Sequence, residues 1–294
     1  MYWIRNSITG AAVVNRALQV LYFPRYSDAY MFIHNGALNE RTYDIIQIGA
    51  IVSRETMGRS EKKMKKLKVL VACEESQRVC TEFRKLGHEA YSADIQEPSG
   101  GHPEWHILGD VLKVLNGGRF TTMNQWVHTV KKWDLIIAHP PCTYLSNSGS
   151  CRLYPHAGQL NQERYNLGLA AAMFFMKFYN ADCEHIAIEN PIASKVFELP
   201  PYTQTIQPYE YGHPYSKKTC LWLKGLPKLQ PTDILTQYKP YVPCGTSHNK
   251  GNKDKAGVSR SGGAAKIRSK TFPGIAAAMA KQWSEYILKE CEQP

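Results

Sequence analysis

This sequence is short of the features that mark a membrane protein, a disulfide scaffold or a zinc domain. The eight cysteines in its 294 residues (Cys73, Cys80, Cys142, Cys151, Cys183, Cys220, Cys244 and Cys291) are widely scattered. They are therefore read as reduced thiols of a cytoplasmic protein. Cys220, Cys244, His213 and His248 match no common closed zinc spacing, so no metal is expected. The longest uncharged apolar run, residues 167–176, falls well short of a bilayer span. Residues 11–23 are broken by Asn15 and Arg16, with no basic lead or small-residue cleavage site, so no secretory signal is expected. What is present is a globular balance, 43% apolar and 21% charged, enough for one large domain with or without an appendage. No obligate protein partner is evident.

Acidic residues are scarce where basic ones gather. Between Lys217 and Lys270 stand ten lysines and two arginines against Asp233 and Asp254, a net +10 of the chain's +11. Residues 244–263 within that stretch are rich in Gly, Ser and Asn and read as loop. A concentrated basic loop suits a polyanion, because each neutralised phosphate releases counterions. A solvated surface loop is the plainer alternative.

Residues 1–63 show no repeat, clear period or chemical motif. Met64-Lys65-Lys66-Leu67-Lys68 then leads straight into an apolar run at 69–72. Met64 is accordingly the expected natural start, with 1–63 an extension or translated leader. The competing reading is a small N-terminal subdomain, suggested by strand-like apolar residues within 30–52.

From Lys68 onward strands and helices alternate. Strands are predicted at 69–72, at 89–93 ending on Asp94, and at 106–109 ending on Asp110. Others are predicted at 133–138, 185–188 and 220–223. Helices are predicted at 77–86, closed by Gly87, and at 273–288. A third, at 162–178, is expected to carry Leu167, Ala170, Phe174 and Phe178 inward. Residues 111–130 read as partly helical, interrupted at Gly117-Gly118. This alternation predicts a doubly wound α/β fold on a mostly parallel sheet, whose ligands sit beyond the carboxyl ends of the strands. Asp94, Asp110, Cys142 and Glu189 all follow a predicted strand and should converge on one crevice. His139 and His185 are read as packing or loop groups.

The sharpest signal is Ala138-His139-Pro140-Pro141-Cys142-Thr143-Tyr144-Leu145-Ser146. Paired prolines end ladder bonding and stiffen the loop, fixing where the next thiol points. A cysteine exposed there, near positive charge, is placed to act as a nucleophile. Leu145 stands where a zinc deaminase of the Pro-Cys-x-x-Cys type needs its second cysteine, which excludes that chemistry.

Here the chain resembles the cytosine carbon-5 DNA methyltransferase family. Pro140, Pro141, Cys142 and Ser146 match its Pro-Pro-Cys-Gln-x-Phe-Ser loop, with Thr143 and Leu145 replacing Gln and Phe. Glu189-Asn190-Pro191 is similar to its Glu-Asn-Val motif. Residues 70–78 align with its first strand and glycine loop, Leu-Phe-Ala-Gly-x-Gly-Gly-Phe-Arg, matching only at Leu70, Ala72 and Arg78. Val71 replaces an aromatic there, and Cys73, Glu75 and Ser76 replace glycines. Tyr211-Gly212-His213-Pro214 with Lys217-Lys218 resembles the family's Tyr-Gly-x-Pro-Gln-x-Arg-x-Arg segment. The segment 224–266, where the family carries target recognition, is short.

The resemblance implies a Rossmann-like methyltransferase with a small basic insertion, using S-adenosylmethionine on DNA. It implies Cys142 as nucleophile on carbon 6 of cytosine and Glu189 as partner of the ring's N3 and amino group. Cofactor contacts would come from Cys73, Glu74, Glu75, Ser76, Asp94, Asp110 and Pro140, and substrate contacts from Ser146, Lys217 and Lys218. Tyr144 would stack or merely pack. The same chemistry on a nucleotide or RNA, and a catalytically silent DNA-binding relative, are the alternatives. A chain begun at Met64 is expected to fold and to keep the activity of the whole chain; loss of either on expression overturns the extension reading.

Overall fold

A computed structural model describes residues 2–6, 22–23, 43–47, 65–156, 158–241 and 269–291. The chain divides into two units, Met1–Met64 and Lys65–Pro294. In the first, β1 (Tyr2–Asn6) pairs antiparallel with both β2 (Tyr22–Phe23) and β3 (Tyr43–Gln47).

The second unit runs β4 (Lys68–Ala72), α1 (Arg78–Lys85), β5 (Glu89–Asp94) and β6 (His106–Leu108). A hairpin of β7 (Gly118–Thr121) and β8 (Val127–Val130) follows, then β9 (Leu135–Ala138), α2 (Gln162–Tyr179) and β10 (Ile186–Pro191). It continues through β11 (Gln204–Ile206), β12 (Tyr215–Ser216), β13 (Thr219–Lys224), β14 (Lys239–Pro240) and α3 (Pro273–Glu290). A seven-stranded sheet has the order β11-β13-β10-β9-β4-β5-β6. Its five central and edge strands from β10 to β6 are parallel, while β13 runs antiparallel to both its neighbours. The chain is an α/β, doubly wound, Rossmann-like protein.

Both faces of the sheet are buried, so its middle strands are continuous apolar runs rather than alternating ones. Period two still sorts their side chains. Leu70, Ala72, Ile136, Ala138 and Ile188 face one core with Phe175 and Phe178 of α2 and Phe120 of the hairpin. Val69, Val71, Leu135 and Ile137 face the other with Phe83 of α1 and Met279 and Trp283 of α3. Fully burying each such aromatic or aliphatic side chain contributes roughly 1.5–3 kcal/mol.

Two sequence expectations are corrected. Residues 111–130 are not helical beyond a short 3-10 turn at Val111–Lys113; Gly117 and Gly118 both take positive φ and start the hairpin. On α2 the inward stripe is Gly168, Ala172, Phe175 and Phe178, whereas Leu167 is 40% exposed. The basic stretch is described up to Tyr241, where β12 and β14 bracket it by parallel pairing; 242–268 lies outside the described residues. Among the described residues no helix is long and apolar enough to cross a membrane.

The start of α3 is held against the Tyr211-Gly212-His213 segment. Gly274 N–H donates to His213 Nε2 at 2.9 Å, and a methyl group on Gly274 would overlap the carbonyl oxygen of Tyr211. Backbone cannot swing aside as a side chain does. Gly274→Ala should therefore destabilise the fold by about 1–3 kcal/mol in a denaturant melt, although alanine is the better helix former.

Candidate active site

The parallel register sets the site. Ala93, Ala72, Ala138 and Ile188 are lined up across β5, β4, β9 and β10. One residue further along each chain therefore places Asp94, Cys73, His139 and Glu189 in a single row at the carboxyl ends. Cys73 N–H donates to the Ala93 carbonyl at 2.7 Å and His139 N–H to that of Ala72 at 2.9 Å, extending the ladder by that one step. Beyond His139, Pro140 and Pro141 offer no N–H, and the strand stops.

The Cys142 loop is sewn to its neighbour. Asn190, 1% exposed, donates through Nδ2 to the Pro140 carbonyl at 2.9 Å. The N–H groups of Leu145 and Ser146 both donate to the Cys142 carbonyl, which turns the chain tightly under the partly exposed thiol. Ser146 then bridges Ala193, with Ser194 N–H donating to Leu145 and Asn147 N–H to Ile192. His139 and Glu189 thus stand at adjacent strand ends, and the Cys142 loop that follows β9 is bonded to the loop that follows β10. Arg164 of α2 donates to the Thr143 carbonyl at 3.0 Å and lies 5.1 Å over the Tyr144 ring, so Tyr144 packs on a cation.

Glu189 has a partner that the sequence reading set aside. His139 Nδ1 lies 3.1 Å from its Oε2, with the two side chains only 9% and 15% exposed. A carboxylate only accepts, so the ring donates. Burial works against charge on both groups. For His139 the hydrogen bond and charge of Glu189, joined by the charge of Glu74, outweigh it and hold the imidazole above its usual 6.5, with Lys217 opposing. For Glu189 burial is outweighed by the His139 hydrogen bond and the charges of Lys217 and His139, which hold the carboxyl below its usual 4.5. Each group thus favours the charged form of the other. His139 sits directly after a strand, and the carboxyl-end rule that selected Asp94 and Glu189 selects it equally.

Lys217 joins the site: with Glu189, Ile206, Thr219, Thr271, Phe272 and Ile275 it lines a narrow cleft of about 10 Å³, room for roughly one water. Cys142 does not line that cleft, and a pyrimidine enters only if its walls separate. Lys218 is exposed and turned toward Cys220 instead. Ser146 is buried, its Oγ 3.1 Å from that of Ser148.

At the other end of the row, Cys73 takes φ 58°, the left-handed turn for which glycine is the usual residue. Its thiol is pushed up to about 12 by burial and by the charges of Asp94 and Asp110, which places those three together. Asp94 accepts from Gln96 N–H at 2.9 Å, and Asp110 caps the 3-10 turn through Leu112 N–H at 3.0 Å. Glu74 is a correction: it faces inward and accepts from Val79 and Cys80 N–H at 2.7 and 3.2 Å, capping α1 rather than facing a ligand. Glu75 is buried beside Lys270, whose Nζ is 3.9 Å from Oε1, and Ser76 is buried under Gly100. A side chain on Gly100 would meet Gln77 Cβ at 2.6 Å and the Ser76 carbonyl at 2.8 Å, so the loop after β5 lies directly on this turn.

Asp94 and Asp110 stand beside this turn as carboxylates that could meet a cation or hydroxyl groups, whereas both Glu75 oxygens are buried. Pro140 contributes only its carbonyl, which Asn190 occupies.

The fold and site together define a Rossmann-like α/β protein with a thiol and an ionic His-Glu pair at the ends of adjacent central strands. No family model matches the chain, and no curated protein matches it. Among solved structures it is similar to the Entamoeba histolytica methyltransferase EhMeth, with a TM-score of 0.35 and 14% identity. The match covers 58% of each chain, so this chain spans less than two thirds of that structure.

The ion pair makes stability depend on pH in both directions. A lowered Glu189 contributes stability that is present above about 4.5 and lost as pH falls through its folded value. A raised His139 contributes stability that is fully present below about 6.5 and lost as pH rises through its folded value. The wild type should therefore exceed His139→Asn by about 3 kcal/mol near pH 5.5. That gap should narrow toward both pH 3 and pH 9 in urea unfolding; a gap that is flat with pH contradicts the pairing.

Proposed function

We propose that this protein is a methyltransferase that modifies carbon 5 of cytosine in DNA through a covalent adduct on Cys142. The observation that supports the reading is the fastening of the Cys142 loop to the strand end that carries Glu189, through Asn190 and the Pro140 carbonyl. Carbon 5 of cytosine is a poor nucleophile. Attack of the Cys142 thiolate on carbon 6 forms a C–S bond and moves the ring's π electrons toward carbon 5 and N3. In this reading Glu189 holds the amino group and N3 of the ring and steadies the density that arrives there. Bound S-adenosylmethionine supplies an electrophilic methyl group; Asp94 and Asp110 are the side chains that would hold it. Loss of the carbon-5 proton and departure of the thiolate then restore the ring.

DNA is favoured as substrate by the basic stretch from Lys217 to Lys270 and by the aromatics within and beside it. Tyr209 and Tyr238 stack at 4.0 Å, and Lys239 lies 5.6 Å over Tyr215. In a duplex the base must first leave the stack, at a cost of a few kcal/mol. The closed cleft beside Glu189 agrees with a site that forms around an extruded base.

The test is incubation with DNA, RNA or free cytidine nucleotide and labelled cofactor, followed by nucleoside mass analysis. The expected product is 5-methylcytosine from DNA. Labelled RNA or nucleotide instead supports the alternative substrates, and no cofactor binding by calorimetry supports a silent DNA-binding relative. Cys142→Ser should lower methyl transfer by about 10⁴-fold or more while still binding cofactor. DNA containing 5-fluorocytosine should form a stable adduct on Cys142, because fluorine does not leave as a proton does.

A further inference from the structure

We propose that His139 is a positioning residue that stores the proton Glu189 hands to the cytosine ring, a role that rests on the reading of the site given above. The arrangement shows why a store is needed. An ionised Glu189 has no proton of its own to give when thiolate attack drives an electron pair onto N3. His139 donates its Nδ1 proton to that same carboxylate at 3.1 Å.

The geometry also shows why the proton has one exit. The other ring nitrogen, Nε2, is buried and has no hydrogen-bond partner among the described residues. The groups acting on the ring are Glu189 from β10, Glu74 from the turn after β4, and Lys217 from the segment before β13. Glu74 attracts the imidazolium, but its oxygens are taken by the N–H groups of Val79 and Cys80. Lys217 repels it from the cleft side. Glu189 alone both bonds the ring and lines the cleft, so the proton travels from Nδ1 to Oε2 and on to N3.

The step balances. As the C–S bond forms at carbon 6, the Nδ1 proton of His139 passes through the Glu189 carboxylate to N3, leaving a neutral imidazole and an ionised Glu189. When the carbon-5 proton departs to solvent base and the C–S bond breaks, N3 returns its proton through Glu189 to His139. The net release is one proton, from carbon 5.

His139→Asn tests this, since its amide places a donor near Nδ1 without a proton to transfer. Cofactor affinity within about threefold of wild type serves as the folding control, and Glu74→Gln, which keeps an acceptor for the α1 cap, is the second variant. The expected result for His139→Asn is a fall in kcat of about 10²-fold or more with KM for DNA little changed. The rate of adduct formation on 5-fluorocytosine DNA should fall by a similar factor. The wild type should lose kcat as pH rises past the His139 titration, Glu74→Gln should lose it at lower pH, and His139→Asn should lack that limb. A His139→Asn variant that keeps kcat within threefold, or keeps the alkaline limb, overturns the relay while leaving the methyltransferase reading intact. A wild type that yields neither 5-methylcytosine nor adduct overturns both.

Discussion

The parallel register of β4, β9 and β10 is the constraint on which the site depends. Ala72, Ala138 and Ile188 stand level, so the next residue of each strand stands level too. No loop has to find another in space. The sheet carries Cys73, His139 and Glu189 to one edge as a consequence of pairing its apolar residues. A one-residue slip of β9 would exchange Ile137 and Ala138 between the two cores and at once separate His139 from Glu189. Packing and chemistry are therefore selected by the same register.

A buried ion pair is not by itself a source of stability, since desolvating two charges costs several kcal/mol each. What keeps this one is local compensation. Glu189 gains from both His139 and Lys217, and His139 from both Glu189 and Glu74. Glu74 in turn is fixed by the N–H groups of Val79 and Cys80 at the α1 N-terminus, which counter the burial that pushes its carboxyl above the usual range. Removing any member leaves an uncompensated charge rather than a harmless gap. The same logic applies to Asn190, whose amide secures Pro140 while its own Oδ1 is buried without a hydrogen-bond partner among the described residues. An unmet acceptor is tolerated where the same amide keeps the Cys142 loop in place.

The sequence is most legible where physics is local. Runs such as 69–72 and 135–138 are apolar on both faces and bounded by polar or proline residues, so a buried parallel strand is the natural reading. The α3 boundary is legible from Pro273 and the apolar spacing beyond it. Legibility fails where the answer depends on a distant partner. Nothing local distinguishes the reversed β13 from a parallel strand; its direction follows from the return of the chain through β11. The inward stripe of α2 is rotated from the one expected because Gly168 accepts the Phe197 ring, a contact 29 positions away in sequence. Glu74 reads as a ligand in a glycine-poor turn, and its true partners, two N–H groups of the next helix, emerge once the turn is built. His139 reads locally as a packing or loop group, because its partner lies 50 residues on.

The turn between β4 and α1 takes a left-handed backbone without glycine. Glycine would supply positive φ at no steric cost, whereas Cys73 and Gln77 adopt φ of 58° and 55° with full side chains. Two features offset that cost. Cys73 and Glu74 N–H both donate to the Ala93 carbonyl, and Gln77 donates through Nε2 to the His102 carbonyl while accepting from His102 N–H. The loop after β5 supplies the glycine that the turn lacks, at Gly100, whose missing side chain lets the two backbones touch. The requirement for close backbone approach has thus moved from one strand end to the next. Residues 70–78 carry no glycine, and the small residue at this backbone contact comes instead from Gly100 in the next segment.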